Sequence, residues 1–268
     1  MIRAVRIASL PCLVTGASAG IGAEVALALA RRRCAVALLA RRQEQLLAVA
    51  RQVEGVGGKA LVVVADVTDA EALQRAVAQA AEKLGGLRLV VANAGVGVHA
   101  AAEELPHAEL ERVFQVNCLG AMATVRTAVP YLLASAPAAI VAVSSLSGLI
   151  PYRGGSAYGA SKAALNQYLR CLRLELGGRG VRVGWLCPGP VATDLILEGV
   201  PHRKLPRLAR LLVPVLSPAR VAAAVIRLAE RGGGERVMPW SAALFAWMAR
   251  CFPVTAERLE RLTGAGEV

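Results

Sequence analysis

Aromatic residues make up only 4% of this 268-residue chain, and their scarcity excludes a base-stacking surface for nucleic acid. No zinc-finger or RNA-recognition signature appears either, so nucleic acid is not an expected partner. The three histidines, His99, His107 and His202, lie far apart without metal-ligand spacing and read as ordinary loop or surface residues. The six cysteines (Cys12, Cys34, Cys118, Cys171, Cys187 and Cys251) contain no CxxC pair. No metal site is implied, and thiols set mostly among apolar neighbours read as buried groups in a reducing compartment. Mean hydropathy is positive, yet no uninterrupted apolar run approaches the roughly 20 residues that cross a bilayer. Nothing repeats at a solenoid period, and no break in composition divides the chain, so a single domain over residues 1–268 is expected.

What is present is apolar and fine-grained: 56% of residues are hydrophobic, mainly Ala, Val and Leu. The net charge of +12 attracts anions, whether nucleotide phosphates or acidic lipids. Strand-length runs ("SLPCLVT", "CAVALLA", "ALVVVAD", "LRLVVAN", "AAIVAVSS", "VRVGWLC") alternate with helical spacings such as "GAEVALALARR" and "AEALQRAVAQAAEKL". Strands apolar throughout fit a parallel sheet covered on both faces, and the alternation predicts an α/β doubly wound sheet of about seven strands. Ligands of such sheets bind beyond the carboxyl ends of the strands. The opening "MIRAVRIASLPCLVTGAS" places two arginines before an apolar segment, as a secretory leader would. That segment runs straight into a glycine-rich turn that needs a strand before it, so a retained first strand and a cytoplasmic protein are expected.

"LVTGASAGIG" sets Gly16, Gly20 and Gly22 where the first strand turns into the first helix. Such a turn lets backbone N–H groups approach a pyrophosphate at the helix N-terminus, or simply packs a helix on a sheet. The second strand ends at Ala40, followed by Arg41 and Arg42. An arginine there favours a ribose 2′-phosphate where an acid would grip the 2′-hydroxyl, and this predicts NADP(H) ahead of NAD(H); a solvated pair opening a helix is the plainer alternative. Asp66 closes the third strand, and Asn93 and Gly95 follow the fourth, positions suited to adenine and ribose but equally to turns and caps, the safer reading for Asp69.

Tyr158 and Lys162, in "SAYGASKAAL", share one helical face. An ammonium beside the phenol is expected to lower the tyrosine pKa from about 10 toward neutrality, making it a general acid and base. Ala157, Gly159, Ala160, Ala163 and Ala164 leave room for a flat cofactor and a substrate. Ser145, thirteen residues before Tyr158, could support the same carbonyl oxygen, with Ser144 and Ser147 chemically equivalent candidates.

Together, TGASAGIG, DVT, NAG, NCLG, a serine followed by YxxxK, and PGPVAT resemble, in order, the motifs of the short-chain dehydrogenase/reductase family over residues 8 to 195. The resemblance implies a Rossmann-type fold, NAD(P)-dependent hydride transfer on a small-molecule carbonyl or alcohol, and a homodimer or homotetramer. It makes Tyr158 the proton-exchanging residue and Lys162 its tuner and ribose contact. It selects Ser145 among the serines and makes Asn117, otherwise a mid-helix polar residue, part of a proton relay. It also implies cofactor contacts at Gly16, Ser18, Gly20, Ile21, Gly22, Asp66, Val67, Asn93 and Gly95, and at Pro188, Gly189, Val191 and Thr193. The family's basic residue before the second glycine of the turn is Ala19 here, so the NADP(H) preference rests mainly on Arg41.

The resemblance gives out in the last third. "HRKLPRLARLL" opposes Arg203, Lys204, Arg207 and Arg210 to Leu205, Leu208, Leu211 and Leu212 and suggests a substrate lid over about 194–216. The closing stretch from about 239 to 268 carries "PWSAALFAWMARCF", read first as a core or dimer helix and second as a peripheral membrane contact. Both features point to a lipid-like or steroid-like substrate. A non-catalytic dinucleotide sensor or membrane-associated scaffold is the alternative on the same fold.

Overall fold

Six of the apolar runs become parallel strands, five of them buried on both faces and the sixth, at a sheet edge, half-exposed. In the computed structural model, which describes residues 7–193 and 213–263, they are β1 (Pro11–Thr15), β2 (Ala35–Ala40), β3 (Lys59–Val64), β4 (Leu89–Ala92), β5 (Ala138–Val143) and β6 (Val181–Pro188). Successive side chains alternate between two cores: Cys12, Val14, Val36, Leu38 and Val141 face one helical layer, and Leu13, Ala37, Leu39 and Ile140 face the other. The helices are α1 (Gly20–Ala30), α2 (Gln43–Gly55), α3 (Ala70–Leu84), α4 (His107–Phe114), α5 (Ala121–Ala134), α6 (Ser156–Leu176), α7 (Pro218–Arg231), α8 (Trp240–Cys251) and α9 (Pro253–Thr263). Helices α1, α2 and α7 cover the first core, and α3, α5 and α6 the second. Asp69 is the cap it was read as: its carboxylate accepts the Ala72 N–H at 2.9 Å and starts α3.

A seventh strand, β7 (Gly234–Met238), closes the sheet in the order β3-β2-β1-β4-β5-β6-β7. Its sequence, GERVM, lacks the apolar run that marked the other six, yet it pairs in parallel with β6 from Gly184 to Pro188. An edge strand is half-exposed and tolerates charge, so it lacks the apolar run that marks its neighbours. Glu235 anchors it by accepting from Arg170 of α6 at 2.9 Å, from both Arg250 Nη atoms of α8 at 2.8 Å, and from the Trp185 indole at 3.3 Å. Burial would push its carboxyl pKa up, and the two guanidiniums outweigh that and hold it below the ordinary value.

The chain builds outward from β1 to β3 and then returns to place β4 on the other side of β1. At that reversal neighbouring connections leave in opposite directions and open a crevice beyond the strand ends. Three further features bear on it. Helix α4 continues into α5 through a π-helical turn, Gln115–Gly120, which contains Asn117. The suggested lid over 194–216 lies, except for its last four residues, outside the described residues. Helix α8 does not bury its aromatic residues as a core helix would: Trp240 and Trp247 are exposed, while Ala242, Ala246 and Ala249 face inward.

The turn from β1 into α1 is built on contacts too close for a side chain. A Cβ on Gly22 would overlap the Gly16 carbonyl oxygen and lie 2.6 Å from Asn93 Nδ2. Gly22→Ala is therefore expected to lower the unfolding free energy by about 1–3 kcal/mol. A urea titration should show a lower midpoint at unchanged m-value.

Candidate active site

Thr15 and Asn93 hold the two sides of the crevice together. The Thr15 hydroxyl accepts from the backbone N–H of Asn93 at 3.0 Å and of Ala94 at 3.2 Å, while Asn93 Nδ2 donates to the carbonyls of Thr15 at 3.0 Å and Gly16 at 3.2 Å. Both amide hydrogens of Asn93 are thus spent inside the protein, and its side chain positions the glycine turn. Gly16 and Gly20 have φ of 63° and 55°, which a side chain rarely adopts. Beyond the turn, α1 begins after Ala19 with no side-chain cap and no acidic residue in its first turn. Its first N–H groups are left to an anion, so the turn fits a pyrophosphate by its own chemistry. Ile21 packs half-buried against the core beneath.

At the far end of the crevice, Arg41 Nη1 lies 3.4 Å from Asp66 Oδ2, and Arg42 Nη2 donates to Ser18 Oγ at 3.1 Å. Asp66 Oδ1 also accepts from the Thr68 N–H and hydroxyl, both at 2.9 Å. Partial burial would raise the Asp66 pKa, but Thr68 and Arg41 outweigh that and hold it below the usual value. Two guanidiniums therefore stand where sequence reasoning singled out Arg41 alone. Arg42 had read as half of a solvated pair; only the fold shows that it reaches back to the glycine turn. Val67 turns its side chain into the core, and both its Cγ2 and its carbonyl oxygen pack against Gly120.

The reacting groups meet beyond β4 and β5. Lys162, 4% exposed, donates from Nζ to the Val143 carbonyl at 3.2 Å and stands 5.8 Å from the centre of the Tyr158 ring. A Cβ on Gly95 would lie 3.2 Å from Asn117 Oδ1 and 3.5 Å from Lys162 Nζ, so the chain passes close beside both groups. Asn117 is fully buried; its Oδ1 accepts from the Val96 N–H at 2.8 Å, and its Nδ2 donates to the Val96 carbonyl at 2.9 Å and to Ser161 Oγ at 3.3 Å. Among the serines, Ser145 donates to Ser147 Oγ at 3.1 Å, and its hydroxyl stands near enough to the Tyr158 phenol to lower the phenol's pKa. Ser144 is instead buried, with its hydroxyl against the Cys187 thiol.

Burial reverses the expected electrostatics. Desolvation pushes the Tyr158 phenol up to about 12, against the opposing hydrogen bond from Ser145, and lowers Lys162 to about 8. The lowered phenol pKa inferred from helical spacing is not found, because burial of the phenol, with Tyr152 adding to it, outweighs Ser145.

The segment after β6 closes the crevice. Gly189 N–H donates to the Met238 carbonyl at 2.7 Å, Val191 bridges to Leu216, and Thr193 Cγ2 would lie 3.0 Å from a Cβ on Gly20. Pro188 to Thr193 therefore spans from the edge of β7 back to the glycine turn. His99, read as an ordinary loop residue, is half-buried and stacks on Tyr152 with ring centres 6.0 Å apart and planes within 4°. Ala100 N–H donates to Gly154 O at 3.1 Å, which ties their two loops together. Sequence reasoning missed this wall, since nothing local marks two residues 53 positions apart as partners. A groove of about 360 Å³ lies on the Gly159, Ala160 and Ala163 side of α6, sharing Ser147 and Tyr152 with this region but not Tyr158 or Lys162. Among the described residues, no three His, Cys, Asp or Glu side chains gather as metal ligands.

Comparison with known proteins agrees with this geometry. A family model described as short chain dehydrogenase matches residues 11–202. An uncharacterized oxidoreductase of Myxococcus xanthus (strain DK1622) is 36% identical over 242 residues, covering 90% of this chain and 92% of its own. A dehydrogenase/reductase from Sinorhizobium meliloti 1021 superimposes with a TM-score of 0.80 at 33% identity, over 88% of this chain and 95% of the other. A short chain dehydrogenase from Burkholderia cenocepacia J2315 in complex with NADP gives 0.78 at 28% identity, over 89% and 100%. The family match runs from the first strand through the crevice to the segment that closes it, and the chain belongs to the short-chain dehydrogenase family.

Proposed function

We propose that the protein is an NADP(H)-dependent oxidoreductase acting on the carbonyl or secondary alcohol of a hydrophobic, lipid-like or steroid-like molecule. The observation that carries the reading is the gathering of Tyr158, Ser145, Lys162 and Asn117 beyond the ends of β4 and β5, with Gly95 passing beside Asn117 and Lys162. When bound, the nicotinamide supplies or accepts the hydride. The polypeptide does the rest. The first N–H groups of α1 and the turn at Gly16, Ser18, Gly20, Ile21 and Gly22 hold the pyrophosphate. Arg41, joined by Arg42, receives the 2′-phosphate, and Asp66 and Val67 flank the adenine. Gly95, Pro188, Gly189, Val191 and Thr193 line the nicotinamide half, with Asn93 positioning the turn.

Tyr158 exchanges a proton with the substrate oxygen. With its pKa pushed up to about 12, the phenol stays protonated near neutrality, which suits donation to the oxygen of a carbonyl being reduced. Ser145 donates to the same oxygen as negative charge builds there. Lys162 binds the ribose and biases Tyr158 when charged, and Asn117 holds the Val96 loop and the path by which a proton returns from solvent. The His99–Tyr152 pair and the apolar residues Leu149 and Ile150 support the hydrophobic substrate class.

Three outcomes follow from these roles. Tyr158→Phe should keep nucleotide binding and lose about 10²–10⁴-fold in turnover; near-full carbonyl reduction by that variant would refute the proton role. Titration by nicotinamide fluorescence should show NADPH binding more tightly than NADH, with Arg41→Ala weakening NADPH about tenfold or more and NADH little. Equal loss of both, or no loss, would remove the 2′-phosphate assignment. Finally, Lys162 has a folded pKa of about 8 against 10.5, so between these values the unfolded chain binds more protons and stability of the nucleotide-free protein rises with pH. Cys34, lowered from 9.0 to about 7, adds to that rise below about pH 9, whereas Cys187, raised from 9.0 to about 12, and then Tyr158, raised from 10.0 to about 12, oppose it at higher pH. The thermal unfolding midpoint between about pH 8 and 9 should therefore rise less steeply with pH in Lys162→Met than in the parent protein.

A further inference from the structure

Helix α8 is sorted by size instead of polarity. Its inward face is Ala242, Ala246 and Ala249, and its outward face carries Trp240 at 82% exposure, Leu244 at 60%, Trp247 at 58% and Met248 at 40%. Phe252 at 60% and Val254 at 59% extend the patch just past the helix end. Positions 240, 244, 247 and 248 follow helical spacing, so the helix presents one continuous apolar stripe. Contiguous exposed apolar residues of this kind mark interaction surfaces. The helix contains no carboxylate, and its one charged residue, Arg250, is clamped by both oxygens of Glu235 at 2.8 Å. That clamp and the close-packed alanines fix the stripe outward.

The stripe begins at the mouth of the active site. Helix α8 starts from Pro239, whose Cδ would lie 3.6 Å from a Cβ on Gly189, and the preceding Met238 carbonyl accepts the Gly189 N–H at 2.7 Å.

We propose that the α8 stripe seats the protein on an anionic membrane surface, with Trp240, Leu244, Trp247 and Met248 in the headgroup region and the active-site mouth turned toward the bilayer. Charge decides between a membrane and a second copy of the chain. A net charge of +12 is drawn to acidic headgroups, whereas two copies meeting through this face would each bring that charge. Exposed tryptophans suit the boundary between headgroups and acyl chains. At about 18 Å, a helix of this length lies in that boundary and does not cross the bilayer. The proposal rests on the hydrophobic-substrate reading and narrows it to carbonyls or alcohols that partition into membranes.

The full chain should co-sediment with vesicles of phosphatidylcholine and phosphatidylglycerol, bind pure phosphatidylcholine vesicles more weakly, and be partly released by salt. Brominated acyl chains in the mixed vesicles should quench its tryptophan fluorescence. Trp185 is 2% exposed and cannot reach lipid, so the quenching reports Trp240 and Trp247. Leu244→Ser combined with Trp247→Ser should weaken sedimentation about tenfold or more at unchanged thermal stability. Protein that stays in the supernatant with the mixed vesicles, or binding that the double substitution leaves intact, would overturn the proposal. So would light scattering that shows a dimer lost in the variant, with no lipid binding by the parent. NADPH titration of the same samples separates the two readings. Intact nucleotide binding without vesicle binding removes membrane docking alone, whereas vesicle binding without nucleotide binding removes the enzyme reading and leaves the docking.

Discussion

The hydrogen bonds that Thr15 and Asn93 exchange across β1 and β4 are the joint on which the site depends. They cross the place where the sheet reverses its winding, and there the backbone carbonyls of the glycine turn need partners away from water. Satisfying them with a side chain from β4 fixes the turn against the next strand. The closeness of that fit is why Gly16 and Gly22 admit no Cβ. Helix α1 then leaves with its first N–H groups uncapped, and the neighbouring loop carries Gly95 past Asn117 and Lys162. One polar contact thus fixes both the uncapped start of α1 and the loop that runs beside Asn117 and Lys162.

Around that joint, burial competes with charge and wins. Lys162 donates to the Val143 carbonyl beside two buried thiols, and its pKa falls, while the phenol of Tyr158 rises for the same reason. Asp66 shows the opposite balance. It is partly open to water and accepts from Thr68 while paired with Arg41, so the attractive contacts prevail and it stays ionised. The crevice therefore has a charged, wetter end and a drier one in which proton position is held by neutral hydroxyls and a buried amine. This division matches the needs of an anionic nucleotide tail and a reacting carbonyl.

Edge strand β7 joins this site to the surface beyond it. Glu235 gathers two guanidiniums and an indole N–H, locking α6, β6, β7 and α8 into one body. The same edge supplies the Met238 carbonyl that holds Gly189. A stripe of exposed tryptophan and leucine is therefore mechanically continuous with the wall of the crevice and does not hang from a loose tail.

The sequence alone determined the sheet, the glycine turn, the Tyr158–Lys162 face and the membership of Asp69 among the helix caps, because each is a local pattern: strand runs, turn residues, an i, i+4 pair and a capping side chain. It pointed to about seven strands but located only six, because the charged residues of β7 are tolerable only at a sheet edge, and it missed the His99–Tyr152 stack, whose partners are brought together only by the fold. Tertiary structure also chose Ser145 over Ser144 by turning one hydroxyl to the phenol and burying the other against Cys187. It set the direction of the tyrosine and lysine pKa shifts, which depend on how much water the fold removes. In α8 every residue before Arg250 except Ser241 is apolar, so hydrophobicity could not say which face turns inward. Packing distance decided it: alanines let the helix approach the body of the protein, and Trp240, Leu244, Trp247 and Met248 were left facing out, with Phe245 half-buried between the two faces.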